Sequence, residues 1–264
     1  MPPIDHATRG EGRPPIVFVH GFGCARSDWD AQVAHLSPRH QTVAVDLRVH
    51  GATPGVARDC SIERYGADVA EVMRELRLPP AVLVGHSMGC RVVIEAALQA
   101  PEHATALVLV DGSQFAPAMH ELLRERFAES GGYAETTTSL FRQMFTGRSD
   151  KVTVAAVMER ASRLPEDIGA PLLLDLVRYD IWRLEASLAS IKVPVMVLQT
   201  TYSNEKRERK TMQQGQTTPY LDMVRARVRS ARIEIIPDVG HFPQLDAPAA
   251  TNALLAQFAA GLGT

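Results

Sequence analysis

Gly85-His86-Ser87-Met88-Gly89 puts a serine between glycines at the point where a buried-strand run, Ala81–Gly85, gives way to the helical pattern of Met88–Gln99. A serine on such a strand–turn–helix corner projects its hydroxyl clear of both elements, and the glycines let their backbones approach. The helix that begins there aims its first amides at any anion forming above Ser87. A serine hydroxyl is a weak nucleophile at neutral pH and needs an adjacent base. Gly240-His241-Phe242-Pro243 supplies a candidate, because an imidazole takes and returns a proton near neutrality. His20-Gly21-Phe22-Gly23 closes an earlier strand, and a glycine-flanked backbone there can offer amides to a carbonyl oxygen. The expected oxyanion hole is the N–H of Phe22 with that of Met88. His20 and His86 end strands and read as structural.

The elements that must hold these residues alternate. Apolar runs at Ile16–His20, Thr42–Asp46, Ala81–Gly85, Ala106–Val110, Val193–Thr200 and Ile233–Ile236 read as strands. Helical patterns lie at Asp28–Leu36, after a capping Ser61, at Met88–Gln99, at Leu221–Val228 and at Pro248–Leu262. Strands joined by helices predict an α/β fold, with a mostly parallel sheet covered on both faces. The alternation breaks over residues 113–191, which carry helical patterns such as Met119–Glu129 and Leu172–Leu188 and no convincing strand. A segment that long is structure rather than loop. It leaves the sheet where ligands bind in open α/β folds, so it reads as a helical lid on a core of residues 1–112 and 192–264. Its Phe115, Met144, Phe145, Tyr179 and Trp182 are the expected apolar walls of a substrate pocket.

The chain has 264 residues, 45% hydrophobic and 22% charged, with a formal net charge of −2. That suits an ordinary globular protein and argues against a cationic nucleic-acid surface. The polar start, Met1 to Gly12, has no apolar core of a signal peptide, and no run approaches a membrane span. Cys24, Cys60 and Cys90 follow no pairing or metal-binding pattern, which fits a reducing cytoplasm. The expectation is therefore a cytoplasmic protein with a small-molecule substrate, no cofactor, no nucleic-acid or membrane partner, and either a monomer or a homodimer.

His20–Gly23, Asp46-Leu47-Arg48-Val49-His50-Gly51, Gly85–Gly89 and Gly240–Pro243 resemble, in order and spacing, the motifs of the α/β-hydrolase superfamily, and the likeness runs from Ile4 to Leu262. It implies an α/β-hydrolase fold, an eight-stranded sheet with a helical cap between its sixth and seventh strands. Two departures stand out. Few residues precede Pro14, so the family's first strand is expected to be missing. Val49 stands where the family usually has glycine, so that turn is expected to differ in shape.

The third departure concerns the acid that orients the histidine. The resemblance implies a carboxylate after the strand Val193–Thr200, but the loop reads Thr201-Tyr202-Ser203-Asn204-Glu205. Glu205 opens a charged run, Glu205–Lys210, of the kind that usually forms a solvated face. Asp111 ends the preceding strand on the same sheet edge. Some branches of the superfamily take their acid there, among them haloalkane dehalogenases and cofactor-independent ring-cleaving dioxygenases. Asp111 is favoured and Glu205 is the alternative.

The reaction expected from these residues is acyl transfer through an acyl-enzyme on Ser87, with a small or medium ester or lactone as substrate. Serine at position 87 argues against the dehalogenase and epoxide-hydrolase chemistry of the superfamily, which needs a carboxylate nucleophile. The rival readings are a C–C bond hydrolase, a cofactor-free dioxygenase acting on a heteroaromatic ring with His241 and Asp111 as base, and a ligand receptor with a slow triad.

Overall fold

The computed structural model describes residues 3–262. The strands are β1 (His6–Arg9), β2 (Ile16–Val19), β3 (Thr42–Val45), β4 (Ala81–His86), β5 (Ala104–Val110), β6 (Val195–Gln199), β7 (Thr201–Ser203), β8 (Arg209–Thr211) and β9 (Arg232–Ile235). The helices are α1 (Asp30–Leu36), α2 (Ile62–Glu75), α3 (Met88–Gln99), α4 (Ala118–Ala128), α5 (Gly132–Arg142), α6 (Lys151–Ser162), α7 (Glu166–Trp182), α8 (Leu184–Ser190), α9 (Pro219–Arg227), α10 (Pro243–Asp246) and α11 (Pro248–Ala260).

Seven of the strands form one sheet in the order β1-β3-β2-β4-β5-β6-β9. All its pairings are parallel except β1 with β3. This is the α/β-hydrolase fold, with one strand fewer among the described residues than the eight the resemblance implies. Strand β1 was not legible in the sequence. His6-Ala7-Thr8-Arg9 has no apolar run because it is an edge strand whose side chains are mostly exposed.

The inner strands are buried on both faces, which is why they read as unbroken apolar runs. Successive side chains go to opposite layers. Val17, Leu83, Leu107, Leu109 and Val197 meet α2, α3, α8 and α9. Phe18, Val84, Val108 and Leu198 meet Trp29, Leu36, Leu255 and Phe258 on the other side. Helix α2 starts at Ser61, whose hydroxyl accepts the Arg64 N–H at 3.2 Å, as its capping position requires.

Between β5 and β6 the chain makes five helices, α4 to α8, over the carboxyl edge of the sheet. The single pattern read over Leu172–Leu188 is two helices, broken at Arg183. Ion pairs tie this region down. Arg91 of α3 is bidentate to Asp180 of α7 at 2.9 and 2.7 Å. Glu95 of α3 accepts from Tyr179 and Arg183. No helix among the described residues is long and apolar enough to cross a membrane.

Candidate active site

Strand β4 and helix α3 meet at Ser87, whose backbone has φ 54° and ψ −113°. A positive φ strains any residue but glycine, by about 1–3 kcal/mol, and must be held by its surroundings. The Ser87 N–H donates to the Val110 carbonyl at 3.0 Å, and the Ser87 carbonyl accepts from Arg91 at 2.9 Å. The flanking glycines are obligatory. A Cβ on Gly85 would lie 2.1 Å from the Gly89 carbonyl oxygen, and one on Gly89 would lie 2.5 Å from that of Val19.

His241 is fixed through its own peptide groups. Its N–H donates to the Met144 carbonyl at 2.7 Å, and its carbonyl accepts from His86 Nε2 at 2.8 Å. Its Nδ1 lies 2.6 Å from Asp111 Oδ2, so the other ring nitrogen is left for the cavity that Ser87 also lines. No hydrogen bond joins Ser87 to His241 in this conformation, which is common before a substrate tightens such a site.

Asp111 closes β5 with a positive φ of 45° and is fully buried. Its Oδ1 accepts the N–H groups of Thr200 and Thr201, both at 2.7 Å. Its Oδ2 accepts the Thr201 hydroxyl at 2.5 Å as well as His241. Burial pushes its pKa up, but the hydrogen bond from His241, the His241 and Arg209 charges and the Thr201 hydroxyl outweigh it and hold the carboxyl below its ordinary value. The imidazole moves down as well, to about 4: burial is the main cause, Arg209 repels the cation, and Asp111 pulls the other way. The His241 ring is therefore neutral at pH 7.

Glu205 takes no part in this arrangement. It is exposed in the turn between β7 and β8, a two-stranded antiparallel hairpin that was not legible in the sequence. Arg209, in the run expected to be a solvated face, turns inward instead. Its side chain is 11% exposed. Its Nη1 donates to Thr201 Oγ1 at 2.7 Å and lies 3.2 Å from His241 Nδ1 and 3.6 Å from Asp111 Oδ2.

The loop after β2 is held by two histidines. His20 Nε2 accepts the Leu47 N–H at 3.0 Å, so its Nδ1 carries the proton and donates to the Gly21 carbonyl at 2.7 Å. That carbonyl also accepts the Cys24 N–H. A trans peptide carries C=O and N–H on opposite sides, so these bonds fix the plane of the Gly21–Phe22 peptide, and both residues line the cavity over Ser87. His50 does the same one step on, accepting the Gly23 N–H at 3.0 Å and donating to the Arg48 carbonyl at 2.9 Å. These roles need neutral rings. Burial and mutual repulsion lower His20 to about 3, and burial lowers His50 to about 4. Val49 beside them has φ 58°, so the glycine-like dihedral survives and a β-branched residue carries the strain.

The cavity over Ser87 is small, about 30 Å³. It adjoins one of about 760 Å³ bounded by α4, α5 and the β7–β8 hairpin. Ser113, Phe115, Leu140, Leu173 and Arg209 line both. Of the expected apolar walls, Phe115 and Met144 line the cavity over Ser87. The other three do not. Phe145 stacks on Phe242, with centroids 5.1 Å apart. Tyr179 is fully buried and gives its hydroxyl to Glu95 at 3.0 Å. Trp182, at the end of α7, is 76% exposed. Local packing decides which way each side chain faces, Phe145 against Phe242 and Tyr179 against Glu95 of α3, and aromatic character alone does not.

Comparison with known proteins agrees with this fold. The chain is 29% identical over 261 residues to a pimeloyl-[acyl-carrier protein] methyl ester esterase from Nitrosomonas europaea, covering 94% of this chain and 96% of that one. It is 29% identical over 127 residues to the dihydrolipoyllysine-residue acetyltransferase component of an acetoin cleaving system from Cupriavidus necator; that match covers 48% of this chain but only 34% of the relative. In structure it resembles a thermophilic esterase from Thermogutta terrifontis, with TM-score 0.82 and 20% identity over 99% of this chain and 94% of that one. Residues 16–254 match the model of the Alpha/beta hydrolase family, and the chain belongs to that family.

Proposed function

We propose that the protein is a serine hydrolase that cleaves a small or medium carboxylic ester or lactone through an acyl-enzyme on Ser87. The observation that carries this reading is the 2.6 Å bond from His241 Nδ1 to Asp111, with Ser87 and His241 on one cavity. In this mechanism His241 takes the Ser87 proton as the oxygen attacks the substrate carbonyl. The amides of Phe22 and Met88 receive the oxyanion. His241 returns the proton to the leaving alcohol, and water then releases the acid by the same steps in reverse roles. Asp111 holds the ring tautomer and stabilises the transient imidazolium.

Residues 113–191 act as a lid. The Met144 carbonyl, which holds the backbone of His241, makes the lid part of the catalytic geometry. The reading extends to a cytoplasmic enzyme with a small-molecule substrate and no cofactor.

The test is a panel of aryl and alkyl esters and lactones, run on the wild type and on Ser87→Ala. Turnover that disappears in the variant supports the reading. Oxygen consumption with a hydroxyquinolone and no turnover of any ester or lactone would overturn it in favour of cofactor-free oxygenation.

A further inference from the structure

Arg209 is a buried cation with unfilled donors beside the reacting serine. Only its Nη1 has a hydrogen-bond acceptor among the described residues, Thr201 Oγ1. Nε and Nη2 have none there, although the side chain is only 11% exposed. Asp111 does not use them. Its oxygens already accept four hydrogen bonds, from Thr200, Thr201 twice and His241, which fills a carboxylate. The other buried guanidinium on this cavity, Arg91, is closed off by Asp180, Ser87 and Ser113. Glu135, Glu205, Arg126 and Arg207 line the larger cavity. Arg209 keeps Nε and Nη2 open to the cavities that it lines, so a ligand can reach them. Its planar fork matches a carboxylate. Arg209 also lines both cavities, so a carboxylate reaching it from the larger one brings the rest of its molecule to Ser87.

We propose that Arg209 is a specificity-determining residue that binds a free carboxylate on the substrate, so that the preferred substrates are acid esters, in which one carboxyl is esterified and another is free. This deepens the serine-hydrolase reading and rests on it. The substrate anion would also shield His241 from the Arg209 charge at the moment the base must accept a proton. The other groups facing His241 are Asp111, the neutral His86 and the paired Arg91.

The experiment compares kcat/KM for the mono-p-nitrophenyl ester of glutaric acid with that for p-nitrophenyl pentanoate, a neutral ester of the same length. The enzymes are the wild type, Arg209→Met and Arg209→Lys. The wild type should prefer the acid ester by about 10–100-fold, the range of a charge-assisted hydrogen bond, chiefly through KM. Arg209→Met should bring the ratio close to one, and Arg209→Lys should leave it between. A wild type that shows no preference, or a ratio unchanged in Arg209→Met while both rates fall together, would overturn the proposal and leave Arg209 a structural support. If the methionine variant does not fold, competitive inhibition of the wild type decides. Glutarate should inhibit pentanoate hydrolysis at least about tenfold better than glutaramide does, by the same energy. Equal inhibition by the two would count against the site. If neither ester is turned over and no acyl group reaches Ser87, the hydrolase reading itself has failed, and that result is distinct from a lost preference.

Discussion

His241 Nδ1 lies 2.6 Å from Asp111 Oδ2, although 130 positions separate the two in the chain. Each comes from a loop at the same sheet edge, one after β5 and the other after β9. Asp111 holds the ring only because two threonine amides and a hydroxyl hold Asp111.

The first consequence concerns the acid. Asp111→Asn keeps the shape but presents an amide that favours the wrong imidazole tautomer. It should lower kcat by about 10⁴-fold, as loss of an orienting carboxylate does elsewhere. Glu205→Gln, at an exposed turn, should change kcat less than about twofold, as surface substitutions generally do. Steady-state kinetics on both variants checks the assignment, and the reverse pattern would exclude Asp111.

The pH profile follows from His241. With its pKa lowered to about 4, chiefly by burial and next by Arg209, the free enzyme holds its base neutral through the mildly acidic range. For a neutral ester, kcat/KM should stay flat from neutrality down to about pH 5 and fall below that as the imidazole protonates. Removing the positive neighbour with Arg209→Gln should move this acid limb to higher pH. A limb at pH 6.5 in the wild type, or one shifted downward by the substitution, would contradict the electrostatics described.

The Arg91–Asp180 pair links the elbow helix to the inserted helices, and both side chains are almost fully buried. Asp180→Asn leaves the Arg91 cation without its counter-charge and should cost about 3–5 kcal/mol of stability. The double variant Arg91→Met/Asp180→Leu should recover part of that loss, because the uncompensated charge is gone. Urea denaturation of the three proteins measures the difference. Equal midpoints for Asp180→Asn and the wild type would mean that the pair contributes little.

Much of the site was legible because its signals are local. Gly85–Gly89 and Gly240–Pro243 each combine a reactive side chain with the backbone freedom its turn needs, all within five residues. Asp111 was singled out once the loop after Thr200 was seen to lack an aspartate, and the structure brings it against His241. Arg209 was not legible, since a charged run reads as a solvated face. Arg209, Lys210 and Thr211 alternate between partly buried and exposed on the short hairpin, but the charged run Glu205–Lys210 carries no matching polarity alternation that could have marked Arg209 in the sequence. Tyr179 and Trp182 lie three residues apart on α7 and still face different surroundings, one packed on α3 and one in solvent. That choice depends on where α7 lies against α3, a long-range matter no local pattern encodes. Strand β1 was missed for the opposite reason to Arg209. An exposed antiparallel edge leaves almost no apolar trace.

The most direct test of the central claim is the intact mass of the protein quenched during turnover of p-nitrophenyl acetate, followed by peptide mapping. One acetyl group on Ser87 in the wild type, and none in Ser87→Ala, is the expected result. An acetyl group on another residue, or burst release of nitrophenol that persists in Ser87→Ala, would contradict nucleophilic catalysis by Ser87.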